Sequence, residues 1–282
     1  MFIDAVRRRL GVTPCLITPA DLRLLPNPES KTGYTLCCVV PAPNNSSSSS
    51  STTTQTFTAP TGETVQAIHQ VGLELHQHEL ASLPPLLLQH LSLVCFNDLR
   101  TILLVHDKRM LGIVTQELPH LVTRQILTPS QAQLLTRGIT ETILPGPSSK
   151  ELSRLLKQCT RSPDLKDQYI LKPVRGGKGA GIIFGDELTP EEWCATLDRL
   201  HSRPCPELLE EGNMCVIQRR IHPRLYDLVL TADGERVRYP LVGTYHVVGG
   251  KLSGLGTWRS SEGRICAVCC GGAWICSVVR RG

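Results

Sequence analysis

The apolar residues of the N-terminal region fall in short runs that polar and proline-containing turns separate. Runs over 13–19 and 34–40 predict two strands, and the segment 20–25 between them predicts a short helix or loop. Between residues 63 and 80 the apolar positions follow a roughly helical spacing, which predicts a helix. This part of the chain is therefore expected to combine short strands with helical segments.

The middle of the chain shows longer helical patterns, one of which Pro119 is expected to interrupt. Thr128 is a suitable N-cap, because a proline follows it at the first helical position. The runs 92–96 and 101–105 are compatible with either a buried strand or a short helix. The three predicted helices cover 108–127, 129–142 and 149–159.

After residue 165 the pattern changes to short apolar segments separated by glycine-rich and Asp-Gly turns. Such segments predict mainly antiparallel strands. A further helix opens after Thr189, with a proline and two carboxylates in its first turn. The fold class is therefore expected to be mixed, α+β or α/β. The strands are expected over 168–171, 181–184, 214–218, 226–230, 239–248 and 263–268.

Composition limits the classes of protein to consider. Apolar residues make up 41% and charged residues 20%, which is typical of globular domains. The segment 41–56 contains almost no apolar residue and predicts a flexible Ser/Thr-rich insertion. A net charge of +5 with scattered basic residues, and only 4% aromatics, argues against nucleic-acid binding.

No signal peptide or membrane span is apparent in the sequence, so a cytoplasmic protein without a membrane partner is expected. The twelve cysteines include the group Cys266, Cys269, Cys270 and Cys276. A zinc site needs four paired ligands, and neither a second Cys-x-x-Cys nor a histidine accompanies this group. We therefore expect reduced cysteines within a buried strand rather than a metal or redox site.

The candidate chemistry lies in the loop that follows the strand ending at Lys172. It reads Arg175-Gly-Gly-Lys178-Gly-Ala-Gly181. Glycines let backbone N–H groups approach a phosphate, and the flanking cations add positive charge. A hairpin that closes over a nucleotide triphosphate is the reading we favour, and a glycine-rich hairpin with incidental lysines is the alternative.

Three other glycine-rich motifs do not fit. A Walker A loop needs Ser or Thr after Gly-Lys, and Gly179 follows Lys178. A dinucleotide-binding loop opens a helix, whereas the residues after Gly181 predict a strand. In protein kinases the lysine strand follows the glycine loop, whereas Lys172 precedes it here.

The order of the motifs along the chain resembles that of the ATP-grasp superfamily. In that fold two α+β subdomains enclose a nucleotide between them. The resemblance is to the circularly permuted branch that includes glutathionylspermidine synthase and glutathione synthetase ATP-binding domains. Its motifs are Asp107-Lys108, the strand and loop 170–181, the hinge-like strand 215–221, and the stretch 239–259. The resemblance implies a pre-grasp-like α/β region at 1–99, a helical connection at 100–165, a lid subdomain at 166–213 and a C-terminal subdomain at 214–282.

The same resemblance implies roles for individual residues. Lys172 would contact phosphate and, with Arg259, take part in catalysis. Gln218 and Arg219 would lie at the adenine hinge, and Lys108 would reach the nucleotide. The remaining candidate ATP contacts lie in the loop: Arg175, Gly176, Gly177, Lys178 and Gly179.

The Mg²⁺ ligands that ATP chemistry requires cannot be assigned from the sequence. Candidates are Asn97, Asp98 and Asp107, while Glu211-Gly-Asn213 reads better as a polar turn. Two classes of function therefore remain open. One is an ATP- and Mg²⁺-dependent ligase that joins a small-molecule carboxylate to an amine through an acyl-phosphate. The other is a catalytically weakened ATP-grasp module that binds nucleotide without turnover.

Overall fold

A computed structural model describes residues 2–12, 14–40, 56–97, 99, 101–202, 214–248 and 250–276. The predicted insertion lies outside these ranges except for Thr56, and so do Asp98 and the segment 211–213. The chain divides into two compact units, Met1–Leu103 and Leu104–Gly282. Its mixed helix and strand content agrees with the predicted α+β class.

The first unit contains a four-stranded antiparallel sheet in the order β1-β2-β4-β3. Its core is built mainly from leucines, among them Leu36, Leu80 and Leu91. Its helices and strands are α1 (Phe2–Leu10), β1 (Leu22–Pro26), β2 (Tyr34–Val39), β3 (Thr56–Thr58), β4 (Thr64–Ala67), α2 (Gln77–Ala81) and α3 (Pro85–Val94).

The prediction for β2 is confirmed, whereas two neighbouring predictions are wrong. The segment 14–18 is not a strand, and the first strand is β1, where a helix or loop was expected. The backbone N–H and hydroxyl of Thr18 both donate to the carboxylate of Asp21, which turns the chain before β1 starts. Pairing of β1 with β2 then overrides its weak local pattern.

The helix predicted over 63–80 is also wrong. Val65 is fully buried in β4, which lies between β2 and β3, and a helix begins only at Gln77. The roughly helical spacing of apolar residues here reflects a strand followed by a loop that packs on the leucine core. Of the two ambiguous runs, the first lies mostly in α3 and the second, Thr101–Val105, forms one π-helical turn.

The second unit holds a four-stranded antiparallel sheet in the order β5-β8-β6-β7, a two-stranded β9-β10 hairpin and a three-stranded sheet in the order β11-β12-β13. Its helices are α4 (Arg109–Thr123), α5 (Pro129–Gly138), α6 (Lys150–Arg161) and α7 (Pro190–Ser202). Its strands are β5 (Thr142–Ile143), β6 (Tyr169–Pro173), β7 (Ile183–Phe184), β8 (Cys215–Arg219), β9 (Leu225–Val229), β10 (Arg236–Pro240), β11 (Val242–Val248), β12 (Lys251–Ser260) and β13 (Ala273–Cys276).

One face of the four-stranded sheet packs against α6 and α7. Leu171 and Ile217 are directly opposed on adjacent strands and are buried in this core. Trp193 of α7 is fully buried there and donates its indole N–H to the sulfur of Cys159 on α6, at 3.3 Å. Because side chains alternate along a strand, the residues on either side of Leu171 and Ile217 point to the opposite face of the sheet.

The helices predicted in the middle of the chain are confirmed, but the interruption expected at Pro119 is wrong, because α4 continues through this residue from Arg109 to Thr123. The Thr128 hydroxyl accepts from the backbone N–H of Gln131 and Ser149 caps α6 in the same way, although α5 ends earlier than predicted, at Gly138. Within the residues that the structure describes, no helix has the length and apolar character needed to cross a membrane.

Two predictions near the C-terminal end are wrong. The single strand expected over 239–248 is divided into β10 and β11. The segment expected as a buried strand over 263–268 is irregular, and a 3-10 turn follows it at Val268–Cys270. Cys269 and Cys270 are exposed rather than buried, whereas Cys159 is a buried thiol. Gly271, with φ of 80°, ends the turn in the left-handed conformation.

Candidate functional site

The glycine-rich loop connects β6 to β7 and has the twisted backbone that its sequence predicts. Gly176, Lys178, Gly179 and Gly181 all have positive φ, between 59° and 84°. At Gly179 a Cβ atom would lie 2.3 Å from Cγ2 of Ile265, so this position needs glycine for space as well as for conformation. The loop thus packs against the irregular segment that precedes the 3-10 turn.

Lys172 lies near the end of β6, on the face of the sheet opposite α6 and α7. Its side chain is half-buried, and in the described part of the chain its ammonium group makes no hydrogen bond or ion pair. Burial lowers the pKa of Lys172 below its ordinary value of 10.5. A buried cation without a partner is unfavourable in the free protein and is available to an anionic ligand.

Lys108 lies immediately before α4 and contacts the start of the glycine-rich loop. Its Nζ donates to the carbonyl oxygens of Pro173, at 2.8 Å, and Gly176, at 2.9 Å. Its backbone N–H donates to the carbonyl of Val174 at 2.9 Å. Burial, followed by the nearby charge of Lys172, lowers the pKa of Lys108. The two lysines therefore place two positive charges at the base of the loop.

Arg175, the first residue of the loop, is held by a buried carboxylate. Asp107 is 1% exposed and accepts hydrogen bonds from the Arg109 guanidinium, the shortest from Nη2 at 2.6 Å. Nη2 of Arg175 lies 3.4 Å from the same carboxylate. Nη1 of Arg175 is buried and has no hydrogen-bond partner among the described residues. The Arg175 guanidinium is thus oriented by Asp107 and retains unused N–H donors.

Gln218 is 2% exposed in β8, opposite Ile170 and therefore on the same face of the sheet as Lys172. Its amide group donates to the hydroxyl of Thr142 at 2.8 Å, which joins β8 to β5. Arg219 is exposed, and its guanidinium lies over the ring of Tyr169, 5.4 Å from the centroid. The side chains at these two predicted hinge positions therefore make contacts within the sheet.

Among the described residues, no side-chain hydrogen bond or ion pair links Lys178 or Arg259 to the other predicted site residues. Lys178 is exposed at the loop tip, and its carbonyl accepts a weak hydrogen bond from the Cys270 thiol at 4.0 Å. Gly177 has open space around its α-carbon. Arg259 is half-buried in β12, opposite Val242 and Trp274.

The proposed Mg²⁺ ligands do not fit that role in the described ranges. Asn97 donates to the Leu73 carbonyl at 2.6 Å and accepts from the Leu73 N–H, so it connects two loops. The Asp107 carboxylate already forms ion pairs with Arg109 and Arg175. Across the described ranges, His, Cys, Asp and Glu side chains form no group of three or more that could hold a metal ion.

A network beside the site was not foreseen from the sequence. Asp186, just after β7, accepts hydrogen bonds of 2.7 Å from both Arg220 and Arg264. Both guanidiniums also lie over the ring of Phe184, about 5 Å from its centroid. These contacts tie the strand after the loop to the end of β8 and to the segment that packs on Gly179. No local pattern signals them, because the partners are far apart in sequence.

Comparison with known proteins gives two findings. Residues 1–104 match the family model described as the AnkG N-terminal domain. The chain is also 40% identical over 267 residues to a protein of Aspergillus thermomutatus named ATP-grasp enzyme ankG. The alignment covers 94% of this chain and 54% of that relative, so the chain spans about half the relative's length. The name of this relative agrees with the superfamily that the motif order of the present chain resembles.

Proposed function

We propose that this chain supplies the phosphate-binding part of an ATP-grasp enzyme. The observation that carries the proposal is the half-buried ammonium of Lys172 beside a glycine-rich loop, together with the Nη donors of Arg175, none of which has a hydrogen-bond partner among the described residues. Buried cationic donors without partners are costly unless an anion satisfies them. A triphosphate fits this need, since it offers several charged oxygens within a small volume.

Each of these residues has its own task in the proposed site. Lys172 neutralises phosphate charge from the strand, and Arg175 adds a planar guanidinium that Asp107 orients. The glycines allow the backbone between them to approach the ligand without a Cβ in the way. Because Lys172 lies on a paired strand and Asp107 orients Arg175, little reorganisation of the backbone or of the Arg175 side chain is needed when the anion binds.

The proposed reaction is the joining of a small-molecule carboxylate to an amine. ATP supplies a phosphoryl group that activates the carboxylate as an acyl-phosphate, which the amine then attacks. This chain's residues would hold the triphosphate and offset its charge, and Arg259 is proposed to interact with the transferring group. The described residues do not provide a Mg²⁺ site, so we route no step through the metal.

The second candidate is nucleotide binding without turnover by this chain. The commitment of Asp107 to two arginines favours it, because that carboxylate is not free for a metal.

The test is calorimetric titration of the purified chain with ATP, with and without Mg²⁺. Lys172→Met is expected to weaken binding by about 10–100-fold, as loss of a charge-assisted hydrogen bond predicts. Lys157→Met is the matched control, since Lys157 is exposed on α6. Unchanged affinity in Lys172→Met would contradict the assigned site. Absence of binding by the folded wild-type chain would contradict the proposed function itself.

A further inference from the structure

Lys108 differs from the other cations of the site in what its ammonium group contacts. Both of its side-chain hydrogen bonds go to backbone carbonyl oxygens, those of Pro173 and Gly176. Together with the bond from its own N–H to Val174, they involve three of the four carbonyls from 173 to 176. This is the point at which the chain leaves β6 and enters the glycine-rich loop. The contact spans more than sixty residues of sequence and depends on where α4 begins.

The loop itself provides few internal bonds that would fix its shape. One backbone hydrogen bond, from Val174 to Met214, lies at its base, and two, from Ala180 to Gly177 and from Ile182 to Gly179, lie in its second half. Among the described residues, no backbone–backbone hydrogen bond of the loop involves Arg175 or Gly176. Gly176 has φ of 81°, and no described atom outside its chain neighbours lies within 4 Å of the position that a Cβ would occupy on it. Glycine pays a large entropic cost when it is ordered. The two hydrogen bonds from Lys108 therefore supply order at the point where other contacts are sparse.

We propose that Lys108 is a positioning residue that holds the start of the glycine-rich loop in its ligand-ready conformation, rather than a direct nucleotide contact. Asp107 complements this role, because it fixes the Arg175 side chain while Lys108 fixes the backbone on both sides of Arg175. The dipeptide Asp107-Lys108 before α4 thus sets both the main-chain and the side-chain geometry of the loop. The statement that the loop is ligand-ready rests on the proposed ATP site, whereas the ordering of the free loop does not.

The test separates loop order from ligand binding. Hydrogen–deuterium exchange of peptides covering 172–184 is measured without nucleotide, on wild type, Lys108→Met, Lys108→Arg and Lys172→Met. Lys108→Met is expected to exchange at least about tenfold faster in this segment, while other peptides of the unit are unchanged. Lys108→Arg retains charge and N–H donors and is expected to restore most of the protection. Lys172→Met is expected to leave loop exchange unchanged, because Lys172 does not bond to the loop.

ATP titration of the same variants completes the test. Lys108→Met is expected to bind ATP about tenfold more weakly, with recovery in Lys108→Arg. Weaker ATP binding with unchanged loop exchange would overturn the proposal and make Lys108 a direct contact. If the wild-type chain does not bind ATP, the proposed function fails, and the exchange data still decide the positioning role. Should Lys108→Met not fold, Lys108→Gln is the second variant. Its shorter, uncharged side chain cannot reproduce both hydrogen bonds of the Lys108 ammonium group, so faster loop exchange than in wild type is expected. Wild-type exchange in Lys108→Gln would contradict the proposal.

Discussion

The carboxylate of Asp107 and the guanidinium of Arg109 form a buried ion pair with a shortest distance of 2.6 Å, and the backbone N–H of Arg109 donates to the same carboxylate at 2.9 Å. Arg175 approaches this carboxylate from the glycine-rich loop. One anion therefore lies between two cations at the first turn of α4. The pair connects the stability of the second unit to the orientation of a proposed ligand-binding arginine.

Replacing Asp107 with asparagine is expected to destabilise the protein by about 3–5 kcal/mol, because the buried guanidinium of Arg109 and the partly buried guanidinium of Arg175 would lose the negative charge of Asp107. Urea unfolding measures the change. Asp198→Asn, at an exposed position on α7, is the control and is expected to stay within about 0.5 kcal/mol of wild type. A small effect of Asp107→Asn would show that the ion pair does not stabilise the fold.

The ion pair of Asp107 and Arg109 also predicts that the stability of the protein decreases at acidic pH. Burial by itself would raise the pKa of Asp107, but the hydrogen bonds and charge of Arg109, with the charge of Arg175, lower it below 3.8. A depressed carboxyl pKa contributes stability that is present above the unfolded value and is lost as pH falls through the folded value. The wild type is therefore expected to lose more stability than Asp107→Asn when the pH is lowered below about 4.

Gly179→Ala is expected to lower the free energy of unfolding by about 1–3 kcal/mol. The alanine would have to adopt φ of 84°, and its Cβ would collide with the side chain of Ile265. Gly177→Ala is the matched control, because nothing lies near its α-carbon and its φ is not positive. Thermal unfolding of the ligand-free protein measures both variants. Equal behaviour of the two alanine variants would contradict the described contact. The double variant Gly179→Ala with Ile265→Ala is expected to recover only the steric part of the loss.

Thr142→Val is expected to lower the free energy of unfolding by about 1–3 kcal/mol. The substitution removes the hydroxyl that accepts the hydrogen bond from the buried side-chain amide of Gln218. Adding Gln218→Met should cost less than the sum of the two single changes, since both ends of the hydrogen bond are then removed. A double-mutant cycle by urea unfolding measures this coupling. Strictly additive losses would indicate that the two side chains do not interact in solution.

Lys172→Met is expected to make the ligand-free protein more stable at neutral pH, by about 0.5–2 kcal/mol, because it removes a half-buried charge that has no partner among the described residues. The folded chain holds the Lys172 proton less tightly than the unfolded chain does. The penalty is therefore present below the lowered pKa and disappears as pH rises toward 10.5. Unfolding of both proteins at several alkaline pH values should show the difference shrinking. Lys157→Met is the control and is expected to show no such trend.

Much of the second unit follows from local sequence. The caps at Thr128 and Ser149 mark the starts of α5 and α6, and the apolar residues before Lys172 mark β6. The glycine-rich loop can be recognised from the number of its glycines. The structure explains them, because Gly176, Gly179 and Gly181 adopt positive φ, which other residues rarely do. Lys172 and Arg175 could be singled out because they flank that loop in the sequence.

The sequence by itself determined the helices of the second unit, the position of the loop and the charge around it, because these depend on neighbouring residues. Only the tertiary structure decided that residues 64–67 form a strand, that Lys108 binds backbone carbonyls and that Asp107 orients Arg175. Those outcomes depend on strand pairing and on contacts between segments far apart in the chain. The free energy of such contacts comes from burial and long-range hydrogen bonds, which local periodicity does not contain.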